Sequence, residues 1–337
     1  MPQPTLNQTA TPRATRMKPS ASPTTTTTEA PWKAEVAYDP WELVLALEWS
    51  PDGSLLAVTA GKALFIYQAA SLQQLHRLPL SAWAEGLAFS PGPDYRLAVA
   101  GRDGTVQLWE AGTGDLIASW MAHPKGTKST AFSPDGRVLA STGSDAIVRL
   151  WNLAALPALE ESQAPPSVQM IGGAYAVADI AFSPEGNLVA SVDGHSIRLR
   201  DPVTQRLART LRGESSIFSL AFSPDGKLLA AAEIGDVVRL WDAETGQEVR
   251  MLTPPEGRVD DPKQFFWSVA FNPEGSQLAA GGSDGRVTVW EAQTGEVIED
   301  WQAHDRAVTG VAFSPDGKRL ASGGLDARLR VWEVGKQ

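Results

Sequence analysis

One short stretch carries the pattern of a nucleophilic serine. Residues 281–285 read Gly-Gly-Ser-Asp-Gly, which fits Gly-x-Ser-x-Gly with Ser283 in the nucleophile position. In the nucleophile elbow of α/β-hydrolases, the serine follows a buried strand, precedes a helix and is activated by a distant His and Asp. Here Gly285 is followed by Arg-Val-Thr-Val-Trp-Glu, an alternating β-branched run, and Asp-Gly favours a tight hairpin turn. The stretch therefore indicates strand–turn–strand, with Ser283 as a turn residue.

The remaining residues give no second set that could perform catalysis. Of the four histidines, His76 lies in a polar segment and His195 in a turn, and neither has a neighbour at metal-ligand spacing. The chain has no cysteine, which excludes disulfides, thiolate metal sites and cysteine nucleophiles. No glycine-rich stretch ends in the Gly-Lys-Ser/Thr of a P-loop. We therefore expect no catalytic residues, no metal and no cofactor.

Composition narrows the classes of partner. The net charge of −10 over 337 residues argues against a broad electropositive face for nucleic acid. No run approaches the roughly 18 apolar residues of a membrane helix, and the N-terminus lacks the apolar stretch of a signal peptide. We expect a cytoplasmic protein whose partners are neither nucleic acid nor membrane.

The elements that position these residues come from an internal repeat. A motif of the type Leu-Ala-Phe-Ser-Pro-Asp-Gly occurs seven times, at intervals of 40 to 50 residues. Its prolines are Pro51, Pro91, Pro134, Pro184, Pro224, Pro273 and Pro315. Self-similarity at such a period is stronger evidence about the fold than any single motif.

Each copy reads as four short strands. An apolar first strand ends at an aromatic residue, Ser-Pro-Asp-Gly makes a turn, and a second strand of small residues follows. A tight turn leads to an alternating third strand, and a Thr-Gly turn leads to a more polar fourth strand. Such units of about 40 residues are typical of propeller blades. We predict an all-β, seven-bladed β-propeller of four-stranded antiparallel blades.

The ends of the third strands carry a family resemblance. Five of them are Trp followed by an acid or amide, at Trp109, Trp151, Trp241, Trp290 and Trp332. Blades one and four depart from this, with Tyr67-Gln68 and Arg200-Asp201. On these motifs the chain resembles the WD40-repeat family over about nine-tenths of its length.

The resemblance implies a buried hydrogen-bonded tetrad in complete blades, in which imidazole links the turn Asp to a Ser hydroxyl and indole N–H is the last donor. The matching residues are His123, Ser141, Asp145 and Trp151 in blade three, and His304, Ser322, Asp326 and Trp332 in blade seven. Blades two and six have Val99 and Ala280 at the serine position. Blades one, four and five have Gly61, Gly194 and Gly235 in place of the aspartate. We expect these five blades to depend more on apolar packing.

The two ends of the repeat region indicate how the ring closes. The seventh copy stops after its third strand, whereas residues 32–39 precede the first motif at the spacing of a fourth strand. We predict that this N-terminal strand completes the last blade, so that residues 32–337 form the propeller. Residues 1–31 are rich in Thr, Pro and Ser and are predicted to be a disordered tail.

The resemblance also implies where partners bind. In such proteins they often contact residues six and four positions before the first-strand aromatic, or the residue before the turn Asp, on the narrow top face. The informative residues at these positions are Leu43, Leu45, Trp83, Glu85, Arg102, Lys128, Phe218, Phe265 and Trp267. Exposed aromatics near an arginine are typical of interface hot spots. The alternative is that Phe265, Phe266 and Trp267 only pack beneath the insertion 253–264.

Three functional hypotheses remain open. The first is a non-catalytic scaffold, a monomeric propeller that binds a protein or peptide on the top face. The second is a structural subunit of a larger assembly, and the third is an enzyme or small-ligand binder that uses the central channel. The insertions 154–173 and 253–264 are equally open to a binding role or to none.

Overall fold

Seven antiparallel sheets form the ring that the repeat predicts. The computed structural model describes residues 24–27, 33–158, 163–171, 175–255 and 264–334. Six sheets have four strands and the last has five. The first strands of successive blades contact one another all the way round, and the seventh contacts the first. The predicted seven-bladed β-propeller is confirmed.

The strands of each blade match the four strands predicted for each repeat. The chain begins with β1 (Thr24–Thr27) and β2 (Lys33–Ala37), which belong to the last sheet. Blade one is β3 (Val44–Trp49), β4 (Leu55–Ala60), β5 (Ala63–Gln68) and β6 (Gln73–Pro79). Blade two is β7 (Ala84–Phe89), β8 (Arg96–Gly101), β9 (Thr105–Glu110) and β10 (Leu116–Met121). Blade three is β11 (Thr127–Phe132), β12 (Val138–Gly143), β13 (Ile147–Asn152) and β14 (Ser167–Ile171), with a 3-10 helix at Leu153–Ala158.

The remaining blades repeat the pattern. Blade four is β15 (Ile180–Phe182), β16 (Val189–Asp193), β17 (Ser196–Arg200) and β18 (Leu207–Arg212). Blade five is β19 (Ile217–Phe222), β20 (Leu228–Glu233), β21 (Val237–Asp242) and β22 (Glu248–Leu252). Blade six is β23 (Phe266–Phe271), β24 (Gln277–Gly282), β25 (Arg286–Glu291) and β26 (Val297–Gln302). Blade seven is β27 (Val308–Phe313), β28 (Arg319–Gly324) and β29 (Arg328–Glu333), completed by β2.

The Ser-Pro-Asp-Gly motif folds into the turn between the first and second strands. In blade one the Ser50 hydroxyl donates to Asp52 at 2.6 Å, and the N–H of Gly53 donates to the Ser50 carbonyl at 2.8 Å. Gly53 has φ 70°, which glycine adopts without strain. Because these turns recur at one end of every blade, the turns between second and third strands lie at the other end, which we call the top face.

The core lies between blades and is built by the third-strand aromatics. Trp109, Trp241 and Trp290 are each buried in a cluster that also contains residues of the preceding blade. Trp151 packs edge-on against Trp120 of blade two at 5.6 Å between ring centroids. In blade one Tyr67 takes the same place, and its hydroxyl donates to that of Tyr38 at 3.0 Å. In six of the seven blades, one large third-strand aromatic thus packs against the preceding blade.

The ring closes as the sequence predicts. β2 pairs antiparallel with β29, and Glu35 lies opposite Arg330. The carboxylate of Glu35 accepts from Arg330 Nε at 2.6 Å and from Arg328. Thr24–Thr27, which the sequence assigns to a disordered tail, instead form β1 beside β2, because β-branched threonine favours strands. The other residues of 1–31 lie outside the described part of the chain, and their disorder stays a prediction.

Candidate functional site

A β-bulge interrupts the first strand in six of the seven blades. In six blades the pairing of first and second strands skips one first-strand residue. These extra residues are Leu45, Glu85, Lys128, Phe218, Trp267 and Thr309. A bulge re-aims a side chain away from the alternation of its strand. It gives the sequence-derived contact positions a structural basis.

The second set of contact positions lies just before the first strands and has a fixed backbone. The carbonyls of Leu43, Trp83 and Phe265 each accept an N–H from the adjacent turn of the top face. The donor N–H to Trp83 belongs to Arg102 and lies 2.8 Å from the carbonyl oxygen. Both sets of side chains therefore stand on well-held strand ends.

Three aromatic side chains meet between blades five and six. Ring centroids lie 4.8 Å apart for Phe218 and Phe265, 5.0 Å for Phe218 and Trp267, and 4.9 Å for Phe265 and Trp267. All three are half-buried, whereas Phe266 is fully buried against Trp290. We call Phe218, Phe265 and Trp267 the aromatic cluster. Its rings leave apolar surface in contact with solvent after packing on each other.

A polar group with one indole forms across blades two and three. The Arg102 guanidinium lies 5.5 Å from the ring centroid of Trp83 and donates to Glu85 at 2.5 Å. The other oxygen of Glu85 accepts from Lys128 Nζ at 2.7 Å. We call Trp83, Glu85, Arg102 and Lys128 the Trp83 cluster. It presents an aromatic face and two cations that share one carboxylate.

The nine residues that the sequence predicts as partner contacts thus fall into separate groups in the structure. The aromatic cluster and the Trp83 cluster lie in different pairs of blades, with blades seven and one between them on one side. In blade one, Leu43 packs against the core shared with blade seven, and Leu45 is half-buried at its bulge. Trp41, two residues before Leu43, is 82% exposed. Blade one therefore carries apolar residues of its own, separated from the aromatic cluster by blade seven.

The blade-three tetrad is a continuous hydrogen-bond chain. His123 Nδ1 lies 2.8 Å from Asp145, and His123 Nε2 lies 2.8 Å from the Ser141 hydroxyl. Trp151 Nε1 donates to the same hydroxyl at 2.8 Å. Burial lowers the pKa of His123. A neutral imidazole that donates from Nδ1 to Asp145, which can only accept, and accepts at Nε2 from Ser141 gives this hydrogen-bond chain. Arg149 Nη1 lies 2.7 Å from the same Nδ1.

The same chain recurs in blade seven. His304 contacts Asp326 at 2.9 Å and Ser322 at 2.8 Å, and Trp332 Nε1 donates to Ser322 at 2.9 Å. Ser283, the serine of the opening motif, accepts a hydrogen bond from the Phe265 N–H at 3.2 Å. It therefore acts as a turn residue of blade six.

Buried arginines are a feature that the sequence analysis missed. Arg149 donates to the tetrad residue Asp145 at 2.7 Å. Blades four and five, expected to depend on apolar packing, have an acid before the turn glycine that pairs with an arginine at the same third-strand position. Arg198 contacts Asp193 at 2.8 Å, and Arg239 contacts Glu233 at 3.1 Å. The sequence signal that could have revealed these arginines is an Arg two residues before the Trp position of the third strand.

Two carboxylates were also missed, one on the first strand of blade one and one directly before the first strand of blade four. Glu48 stands where the other blades have alanine, and it accepts the Phe89 N–H of blade two at 2.9 Å. Burial raises the pKa of Glu48 to about 8, against the opposing effect of that hydrogen bond. Asp179 accepts from Ser129 of blade three at 2.7 Å and from the Leu220 N–H of blade five at 2.9 Å. Each carboxylate links its own blade to a neighbour.

Two further features concern the residues that the structure describes, a metal site and a membrane-spanning helix. Within that part of the chain, no group of three or more His, Asp or Glu side chains is arranged to hold a metal ion. No helix there has the length and apolarity needed to cross a bilayer.

The ring of blades and its tetrads define a repeat-built β-propeller, and comparison with known proteins gives its family. A model of the WD40 family (WD domain, G-beta repeat) matches residues 74–110, 114–152, 205–242, 256–291 and 295–333, more than half of the chain. The chain belongs to the WD40 family. The third strands of blades one and four lie outside these matches. At the Trp position these strands have Tyr67 and Arg200.

Curated relatives share parts of the propeller. Serine-threonine kinase receptor-associated protein of Gallus gallus is 29% identical over 108 residues, 32% of this chain and 31% of that protein. One of the subunits of chromatin assembly factor 1 of Gallus gallus is 26% identical over 184 residues, 51% of this chain and 28% of the relative. Nuclear distribution protein PAC1 of Arthroderma benhamiae is 37% identical over 68 residues, 20% and 15% of the two chains. The chain spans less than a third of the length of each of these relatives.

Proposed function

We propose that this propeller is a non-catalytic scaffold that binds a protein or peptide segment on its top face. The observation that carries the proposal is the aromatic cluster, three large rings held at strand ends that remain partly exposed to solvent. Rigid aromatic side chains lose little entropy on binding and dominate interface energies. The Trp83 cluster supplies an indole with a charged rim, and a partner carboxylate can compete for Arg102 and Lys128.

The relatives support a binding role in general terms. Their names describe a receptor-associated protein, a nuclear distribution protein and a subunit of an assembly factor. The subunit name also favours the alternative in which this chain is a structural part of a larger complex. The two proposals share a top-face contact and differ in whether the partner remains permanently bound.

Replacing both indoles tests the top face. We expect Trp83→Ala/Trp267→Ala to lose the proteins that the wild-type chain captures from native lysate, measured by quantitative mass spectrometry. Both side chains are partly solvent-exposed, so the circular dichroism spectrum stays that of the wild type. Met121→Ala/Val249→Ala, at exposed sites on β10 and β22, is the matched control and retains the partners. An unchanged partner set in the indole variant would contradict the proposal.

A further inference from the structure

The seam between blades three and four differs from the other six. At the end of the third strand, six blades have Tyr or Trp, which packs against the preceding blade. Blade four has Arg200 at this position. The cluster between blades three and four consequently has no aromatic among its fully buried members, and only Phe182 packs at its side. A large planar side chain is missing where the repeat otherwise provides one.

A groove opens at this seam. It has a volume of about 770 Å³, within the roughly 300–1,000 Å³ of typical ligand pockets. We call it the seam groove, and its apolar lining is Pro134, Val138, Leu150, Val168, Phe182 and Val203. The lining includes the first turns of both blades, Ser133–Arg137 and residues 185–186. The groove therefore lies at the end of the propeller opposite the top face.

The turn that borders the groove carries an exposed valine in blade four. Between third and fourth strands, blade five has Ala243-Glu244 and blade six has Ala292-Gln293, whereas blade four has Pro202-Val203. Val203 is 86% exposed, and Val168 on the opposite wall is 42% exposed. At the same distance from the third-strand aromatic, the other blades with such a turn have small or polar residues, Ala70, Gly112, Ala154, Glu244 and Gln293. Val203 therefore adds apolar surface that the fold does not need. Asp135, Arg137 and Glu185 surround this surface, giving the apolar centre and polar rim of a binding site.

We propose that the seam groove binds an extended segment of a partner protein, which places an aromatic side chain against Leu150, Phe182 and Val203. The missing third-strand aromatic gives the chemistry of the anchor, because the same seam accepts Tyr or Trp in every other pair of neighbouring blades. The site is independent of the top face, so one propeller can hold two partners at opposite ends.

One exposed substitution tests the groove without disturbing the fold. Val203→Glu installs the type of residue that blade five has at the same turn position, Glu244, and its side chain is almost fully exposed. Val249→Glu makes the same change at a 50% exposed site on β22 and is the matched control. Short random peptides displayed on phage are selected on the full-length wild-type chain. Affinities of the enriched synthetic peptides are then measured by fluorescence anisotropy.

We expect enriched peptides that share a Trp, Tyr or Phe and bind Val203→Glu at least about tenfold more weakly than wild type. Val249→Glu and Trp83→Ala/Trp267→Ala bind these peptides within about twofold of wild type. Peptides without an aromatic residue, or a selection that yields no Val203-dependent peptide, would overturn the proposal. So would self-association of the wild-type chain in sedimentation velocity that Val203→Glu abolishes, because the occupant would then be a second copy.

Discussion

At the scale of single residues, Glu48 shows how one departure from the repeat can set pH dependence. Six blades have a small apolar alanine at this place between first strands, and blade one has a carboxyl group. Burial raises its pKa to about 8, well above the value of about 4.3 expected in the unfolded chain. The folded protein therefore binds a proton that the unfolded chain releases. The contribution of Glu48 to stability is fully present below pH 4 and is lost as the pH rises toward 8.

Replacing this carboxyl group by an amide removes the titration and keeps an acceptor for Phe89 N–H. We expect Glu48→Gln to gain roughly 3 kcal/mol of unfolding free energy relative to wild type between pH 5 and pH 8. Urea denaturation at the two pH values measures the difference. Glu244→Gln, on an exposed turn, should change stability equally at both. A pH-independent difference for Glu48→Gln would mean that Glu48 titrates normally in the folded protein.

At the scale of one blade, the tetrad joins the strands through a single hydroxyl. Ser141 accepts from Trp151 and contacts His123, so Ser141→Ala leaves buried polar groups without their partner. We expect a loss of about 2 kcal/mol in unfolding free energy, measured by denaturant titration. Ser191→Ala is the matched control, because Ser191 has the same register in blade four, where the third strand ends in Arg200. Equal losses in both variants would show that the tetrad adds nothing beyond packing.

The strands and turns of a blade could be predicted from sequence because their signals are local. Ser-Pro-Asp-Gly specifies its turn through contacts within five residues, and the His, Ser, Asp and Trp of a tetrad recur at fixed spacing. The bulge beneath Phe218 and Trp267 could not be predicted, because it is a matter of register between two strands. The packing of these rings on Phe265 depends in addition on the angle between two blades. The binding positions were therefore identifiable, whereas their clustering required coordinates.

At the scale of the whole molecule, contacts between blades determine structural features that local sequence patterns do not predict. Asp179 joins blades three, four and five, yet its sequence neighbours contain no sign of either partner. The seam groove likewise results from a substitution, Arg200, whose consequence appears only against the adjacent blade. Ring closure was the exception, because the missing fourth strand and the unassigned segment 32–39 are complementary in the sequence itself.

Ion pairs as well as backbone hydrogen bonds hold β2, the strand that closes the ring, against β29. Burial acts to raise the pKa of Glu35, but the hydrogen bonds and charges of Arg330 and Arg328 outweigh it and lower this pKa. The resulting stabilisation is present above the unfolded-state pKa and is lost as the pH falls through the lowered folded-state value.

Removing that carboxylate should weaken the ring at neutral pH. Arg330 is 10% exposed and Glu35 13%, so Glu35→Ala removes a largely buried partner of Arg330, which keeps its contacts with Asp326 and the Ala303 carbonyl. The change should cost about 2 kcal/mol of unfolding free energy at pH 7. The deficit should shrink as the pH is lowered below 4, because the wild-type carboxylate is then being protonated. Guanidinium denaturation across this pH range measures it. Glu299→Ala, on the exposed face of β26, should show neither effect. A deficit that persists unchanged at low pH would show that the charge of Glu35 does not stabilise the closed ring.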